Sequence, residues 1–455
     1  MYKLSIKKTL ILVCFVCFTI ISIVAQSLTS NPMSYYGIGE YQRVSHSVLG
    51  GLGNASEAYV DSTFLNIYNP ASYAFLAKGQ PLFSTGLGTR ISNYQENGNS
   101  SLSSVTQMTH FALGVPFGKR FGLVMGIKPY AKKGYDFIDE NTFSTDTIIN
   151  RYYGSGSINE SFLGFSVAIL NQTNRKLSVG LNGSYLFGKV IDARSSRLTS
   201  TLSGGIEESS LELKGIHSNF GLYFEETFAK GNSFSLAYII DPSQKMNAFS
   251  TLDLYQSVDI TDVNYFYRLD STGSIKGEMN SPLRMTIAGS YKFRFNDANK
   301  KDGYLKKSEI ALNGSFNFVD YSNYSLTTDN YSDLTSYVNT QKIALGVQYT
   351  PEVQFLSAAM NTTMMQRMRY RVGGYFGALP IQLNSNTLND LGVTAGFGIP
   401  IKIQKSLTSF NLSFGYGVRK SNNPASFSEH YFSINAGIII APANFEKWFV
   451  KRKYD

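Results

Sequence analysis

Beyond about residue 80 the chain alternates hydrophobic and polar side chains one for one, the period of a strand whose two faces meet different media. In residues 177–187, Leu177, Val179, Leu181, Gly183, Tyr185 and Phe187 share one face, and Ser178, Gly180, Asn182 and Ser184 the other. The same period returns with Ile310, Leu312, Gly314, Phe316 and Phe318 against Ala311, Asn313, Ser315 and Asn317. It returns again with Phe410, Leu412, Phe414, Tyr416 and Val418 against Asn411, Ser413, Gly415 and Gly417, and with Phe432, Ile434, Ala436, Ile438 and Ile440. Fourteen strands are predicted, at about 80–95, 102–116, 120–135, 158–172, 176–190, 210–228, 232–248, 283–295, 306–322, 339–351, 367–378, 388–402, 406–420 and 428–442. Most exceed the ~5–6 residues of soluble strands and reach the ~9–11 that a tilted membrane strand needs. A soluble sandwich shows the same period, so alternation by itself leaves open which face meets lipid.

Connection lengths favour a closed membrane barrel. With both chain ends on the periplasmic side, every second connection should be a tight turn. Residues 116–119, 171–176, 229–233 and 402–405 fit, whereas 136–153, 193–209, 249–281 and 321–336 read as long polar loops on the outer side. Residues 351–366 break the scheme, being long where a turn is due and carrying Phe355, Leu356, Met360, Met364 and Met365. The fold expected is all-β: a fourteen-stranded antiparallel transmembrane β-barrel spanning residues 80–442.

The first residues set the compartment. Lys3, Lys7 and Lys8 precede an apolar run from Leu10 to Ala25, the build of a secretory signal peptide over residues 1–25 cut before Gln26. The run is shorter than the ~20 residues of a spanning helix, and polar residues interrupt every later apolar run. Both cysteines of the sequence, Cys14 and Cys17, lie in this segment. A mature chain without cysteine has no disulfide, thiolate nucleophile or Zn–Cys site, so core and sheet must hold it together. An exported chain of this pattern is expected in the cell outer membrane, in contact with the lipid bilayer and lipopolysaccharide.

The 455 residues are 43% hydrophobic and only 16% charged, with 30 Tyr and 32 Phe beside one Trp, a composition of strand formers. The formal charge of +9 falls to +6 without the signal segment and is spread without clusters, which excludes nucleic acid as a partner. His46, His110, His217 and His430 are dispersed and no HExxH occurs, so no metal site is expected. His217 reads as a lumen-facing strand residue. Gly51-Leu52-Gly53 lacks the third glycine and the βαβ setting of a dinucleotide loop. His110 with Ser103 or Ser104 is the sort of pairing any serine-rich strand offers. No enzyme and no cofactor are expected. Arg284, Lys292 and Arg294, and then Arg369 and Arg371, fall on the polar face, where they would draw anionic ligands into a lumen unless Glu225 and other interior acids neutralise them. The tail 443–455 sets Trp448 and Phe449 beside Lys447, Lys451, Arg452 and Lys453, which suits a periplasmic membrane interface as well as a solvated end.

Between the signal and the first strand, residues 26–79 alternate little. They hold Gly51-Leu52-Gly53-Asn54-Ala55, then Asp61-Ser62-Thr63, then Asn66-Ile67-Tyr68-Asn69-Pro70-Ala71-Ser72. This resembles the N-terminal hatch of the FadL/TodX family of outer-membrane transporters for long-chain fatty acids and other hydrophobic compounds, and Ser34-Tyr35-Tyr36-Gly37-Ile38-Gly39-Glu40 resembles a divergent branch of it. The resemblance implies a fourteen-stranded barrel with residues 26–79 as plug, carrying the motif residues Asp61, Ser62, Asn69, Pro70 and Ala71. It also implies a hydrophobic small molecule that leaves sideways through a gap in the wall beside a kinked third strand. Here that strand contains Pro129, which cannot donate a ladder hydrogen bond and marks either a gap or a closed bulge. Members resembling this chain also serve secretion or outer-membrane assembly by docking protein partners on their long loops, and that role stands as the alternative.

Overall fold

A computed structural model describes residues 31–42, 47–55, 57–77, 80–96, 98–143, 146–201, 204–228, 231–257, 266–295, 305–306, 308–331, 337–351, 353–354, 365, 368–383, 386–401, 408–421 and 427–441. The expected signal segment, the aromatic and basic tail and most of 351–366 lie outside the described residues.

The alternating segments form one closed antiparallel barrel of fourteen strands. These are β1 (Leu82–Glu96), β2 (Asn99–Phe117), β3 (Phe121–Phe143), β4 (Asp146–Asn171), β5 (Arg175–Leu198) and β6 (Gly204–Thr227). Strand β7 is interrupted (Ser233–Asp241, Lys245–Ser257), and β8 is in three pieces (Phe266–Ser271, Ile275–Asn280, Leu283–Phe295). They are followed by β9 (Ser308–Asp320), β10 (Thr340–Thr350), β11 (Arg369–Leu383), β12 (Asn386–Pro400), β13 (Ser409–Ser421) and β14 (Phe427–Ile440). The ring closes where β1 meets β14, from Phe83↔Ile440 to Glu96↔Phe427. Closure leaves no free edge along that join, which a sheet in hydrocarbon requires.

Burial resolves which face meets lipid, because it is inverted relative to a soluble sheet. Leu181, Leu312, Leu345 and Val393 point outward and are 42%, 44%, 64% and 61% exposed. On the inward face Ser178, Asn182, Gln348, Asn411 and Glu429 are buried. A greasy exterior around a polar, filled interior is stable only where the outside is lipid, so the chain is a transmembrane barrel.

Short turns join the strands at one end, as at 118–120 and 172–174. At the other end the structure departs from the reading of long loops. Residues 136–143 and 146–153 continue β3 and β4 in unbroken register from Asp136↔Tyr153 to Phe143↔Asp146, and β5 and β6 extend likewise to Arg197↔Gly204. β3 to β6 are therefore 23 to 26 residues long, against 13 to 15 in β11 to β14. Above the lipid both faces of a strand meet water or polar lumen, so alternation fades while the ladder persists, and a pattern search mistakes such strands for loops.

The apolar core lies inside the barrel. Val48, Leu49, Tyr59, Phe64, Leu65, Ile67, Tyr73 and Leu76 of the N-terminal segment pack with Leu82, Ala112, Val124 and Phe162 from the wall.

Candidate functional site

Asn69 organises the N-terminal segment. Its Oδ1 accepts from the Ala71 amide at 3.0 Å, capping the 3-10 turn Pro70–Phe75, and its Nδ2 donates to the Glu57 carbonyl at 2.7 Å. Proline at the first position of that turn costs no hydrogen bond there. The Ala71 carbonyl accepts from Ser166 at 3.0 Å and Ser178 at 2.7 Å, on β4 and β5. Gly180 on β5 permits the approach, since a Cβ there would lie 2.3 Å from the Pro70 carbonyl carbon. Asp61 accepts from the Thr63 amide at 3.0 Å and pairs with Arg369 at 3.4 Å, whereas Ser62 is exposed and accepts from the Ala77 amide through its carbonyl at 3.3 Å.

The five cations singled out on the polar face do not converge. Lys292 donates to the Val60 carbonyl at 2.8 Å, and Arg369 holds Asp61 and Thr63, so both fasten the N-terminal segment. Arg294 pairs with Glu309 at 3.0 Å. Arg371 donates to Gln348 at 2.8 Å and Asn411 at 3.2 Å. Arg284 lies 4.5 Å over the Tyr41 ring and 5.4 Å over Tyr130. Glu225 takes Lys176 as its ion-pair partner at 2.6 Å.

Pro129 lies just beyond the end of the β2–β3 pairing. The β2–β3 ladder runs from Phe117↔Phe121 to Phe111↔Ile127 and stops two residues short of the proline. β3 then shifts register against β4 between Pro129 and Ala131. Seven pairs at ~3.3 Å and a ~40° tilt rise about 18 Å, short of the ~25 Å apolar band of a barrel. Beyond Ile127 β2 and β3 no longer pair with each other, and a seam runs between them.

The N-terminal segment occupies the freed edge of β3. Glu40 and Tyr41 pair antiparallel with Lys132 and Ala131, the Gln42 amide donates to the Tyr130 carbonyl at 2.8 Å, and Gln107 of β2 donates to the Gln42 side chain at 2.9 Å. Gly39, at φ +92°, admits the strap, because a Cβ would sit 2.3 Å from the Lys132 carbonyl oxygen. Glu40 reaches across to Arg419 of β13 at 2.7 Å and Arg90 of β1 at 3.7 Å, so the strap binds both sides of the seam.

A cavity of about 330 Å³ lies against this strap and reaches Val105 and Gln107 on one side of the seam and Lys132 and Gly134 on the other. Its charged lining comprises Arg90, Lys132, Lys342 and Arg419 with Glu40 and Asp390, and most of it is ion-paired. Arg90 pairs with Glu429 at 2.8 Å, Arg419 with Glu40 and with Glu429 at 3.4 Å, and Lys342 with Asp390 at 3.6 Å. Arg90 and Arg419 escaped the sequence reading, though Arg419 continues the polar face of Asn411, Ser413, Gly415 and Gly417 by one step. Among the described residues no cluster of metal-ligating side chains occurs.

Solved structures of the same architecture include the toluene transporter TodX of Pseudomonas putida, at 12% identity and TM-score 0.50, covering 88% of this chain and 98% of that one. A FadL homologue of Pseudomonas aeruginosa aligns at 12% identity and TM-score 0.49, and the CymD monoaromatic hydrocarbon channel at 11% and 0.44, each over 88% of this chain and 98% of the other. At such identities the likeness concerns the fold, which is the one the hatch motif implied. No curated protein matches the sequence. A family model described as BamG matches residues 5–455.

Proposed function

This chain belongs to the BamG family, and on that premise and its barrel geometry we propose that it is an outer-membrane channel passing a hydrophobic small molecule from the lumen sideways into the bilayer. The observation that carries this reading is the seam: the β2–β3 ladder ends at Phe111↔Ile127, inside the apolar band, and the cavity reaches both of its banks. An apolar solute gains ~25 cal/mol per Å² on leaving water and is spared a second crossing of it if it exits laterally. In this reading residues 26–79 are the plug, anchored through Asn69, Pro70 and Ala71, and the strap at Glu40 is its gate.

The test exploits a mature chain expected to lack cysteine. Cysteines replacing Gln42 and Gln107, bridged by a short cleavable thiol cross-linker, should halt uptake of oleate and toluene into cells carrying the protein, and cleavage should restore it. Uptake indifferent to the bridge would sink lateral exit.

A second reading, a barrel that docks protein partners, draws on the tall wall. Phe137, Ile138 and Phe143 of β3 and Leu198 of β5 are exposed on the long ends of their strands. The charged, ion-paired lining of the cavity also suits a hydrocarbon poorly, because covering ion pairs with apolar matter gains little. Indifference to the bridge, joined to loss of a co-purifying protein on shortening the β3–β4 hairpin, would favour this reading.

A further inference from the structure

We infer that an open pocket at the long-strand end of the barrel, between Tyr35, Tyr152 and Asp192, is a binding site for a pyranose ring of a saccharide. The pocket measures about 270 Å³, room for one such ring. Tyr135, on its wall, stands fourteen residues above Phe121, which at ~3.3 Å per residue and ~40° tilt is about 35 Å, some 10 Å beyond a ~25 Å apolar band. The site therefore faces the water and sugar layer, on the outer side of the strap at Gly39–Gln42.

Its lining is of two kinds. Tyrosines 35, 36, 135, 152 and 331 supply ring surface. Between them lies a fixed carboxylate: Asp192 accepts from Lys133 at 2.7 and 2.8 Å and from Tyr135 at 2.6 Å. Lys133 is itself buried and also donates to Tyr331 at 2.7 Å, which donates on to the Gly37 carbonyl at 2.7 Å, so the polar floor is held from four parts of the chain. At the rim Arg194 and Glu207 are direct cross-strand partners on β5 and β6, both exposed, and among the described residues neither has an ion-pair partner. Arg194 lies 5.5 Å over the Tyr152 ring.

Charge decides the ligand class. The buried Lys133 neutralises Asp192 from behind, and Arg194 and Glu207 at the rim carry opposite charges, so neither an anion nor a cation gains. A neutral ligand with an apolar face and a rim of hydroxyls satisfies both sets, stacking on tyrosine and bridging donor and acceptor. A pyranose has that shape.

The full-length protein in nanodiscs free of lipopolysaccharide can be titrated with methyl glucoside, methyl galactoside, methyl mannoside, and the deacylated core oligosaccharide of lipopolysaccharide, followed by saturation-transfer NMR and calorimetry. Saturable binding is expected, weakened at least tenfold by Tyr152→Ala and about fivefold by Glu207→Ala, with heat-modifiable gel migration showing the barrel intact. Binding of a simple methyl pyranoside assigns the site to free glycans, and binding of the core alone assigns it to the membrane's own saccharide. Absence of binding by every sugar, equal binding by Tyr152→Ala, or tighter binding of tetramethylammonium would overturn the inference.

Discussion

Asn69 is buried, and both ends of its side-chain amide are used inside the N-terminal segment, on the Ala71 amide and the Glu57 carbonyl. Asn69→Ala strands one donor and one acceptor, at a cost of about 1–3 kcal/mol. The expected result is faster proteolysis within residues 57–76 while the barrel keeps its heat-modifiable migration. Gly180→Ala acts from the opposite side, since its new methyl would lie 2.3 Å from the Pro70 carbonyl carbon and must push the segment off the wall. The two variants should release the same proteolytic fragments, and different fragments would separate the Asn69 cap from the docking contact.

At the scale of elements the seam depends on one strand losing its neighbour. β3 leaves β2 after Ile127, and Pro129, two residues on, has no amide hydrogen to donate. Pro129→Val restores the donor, so the ladder should lengthen, uptake of oleate should slow, and thermal stability should hold or rise. A variant that folds normally and transports at the parent rate places the opening elsewhere. Glu40 ties the strap to Arg419 and Arg90 across the seam. Glu40→Gln should loosen it, and a maleimide probe at Gln107→Cys should then react several-fold faster than in the parent background.

For the whole molecule the inverted burial is the stabilising principle. Leu345, at the middle of β10 and 64% exposed, meets lipid, so Leu345→Arg should cost about 2–4 kcal/mol in urea unfolding from vesicles. Little change would mean that this face does not lie at the bilayer centre. Mass spectrometry of the protein recovered from outer membranes should find Gln26 as the first residue, since the segment before it has the n-, h- and c-regions of a signal peptide.

The sequence by itself determined the barrel. Strand number and the polarity of each face were legible because a wall one residue thick between lipid and a filled lumen forces strict alternation, and that pattern is local. The local build at Asn69-Pro70 was legible for a similar reason, being a cap followed by a turn-former written in adjacent residues. The tall wall was not, since beyond the bilayer both faces of a strand are wetted and the period disappears. Only the tertiary structure decided that β2 and β3 part after Ile127, that Glu40 spans the parting, and that Arg90 and Arg419 rather than the five cations foreseen line the cavity there. Each of these joins residues tens to hundreds of positions apart, and which inward-facing charges meet across a lumen is set by strand register and shear, which no single strand encodes.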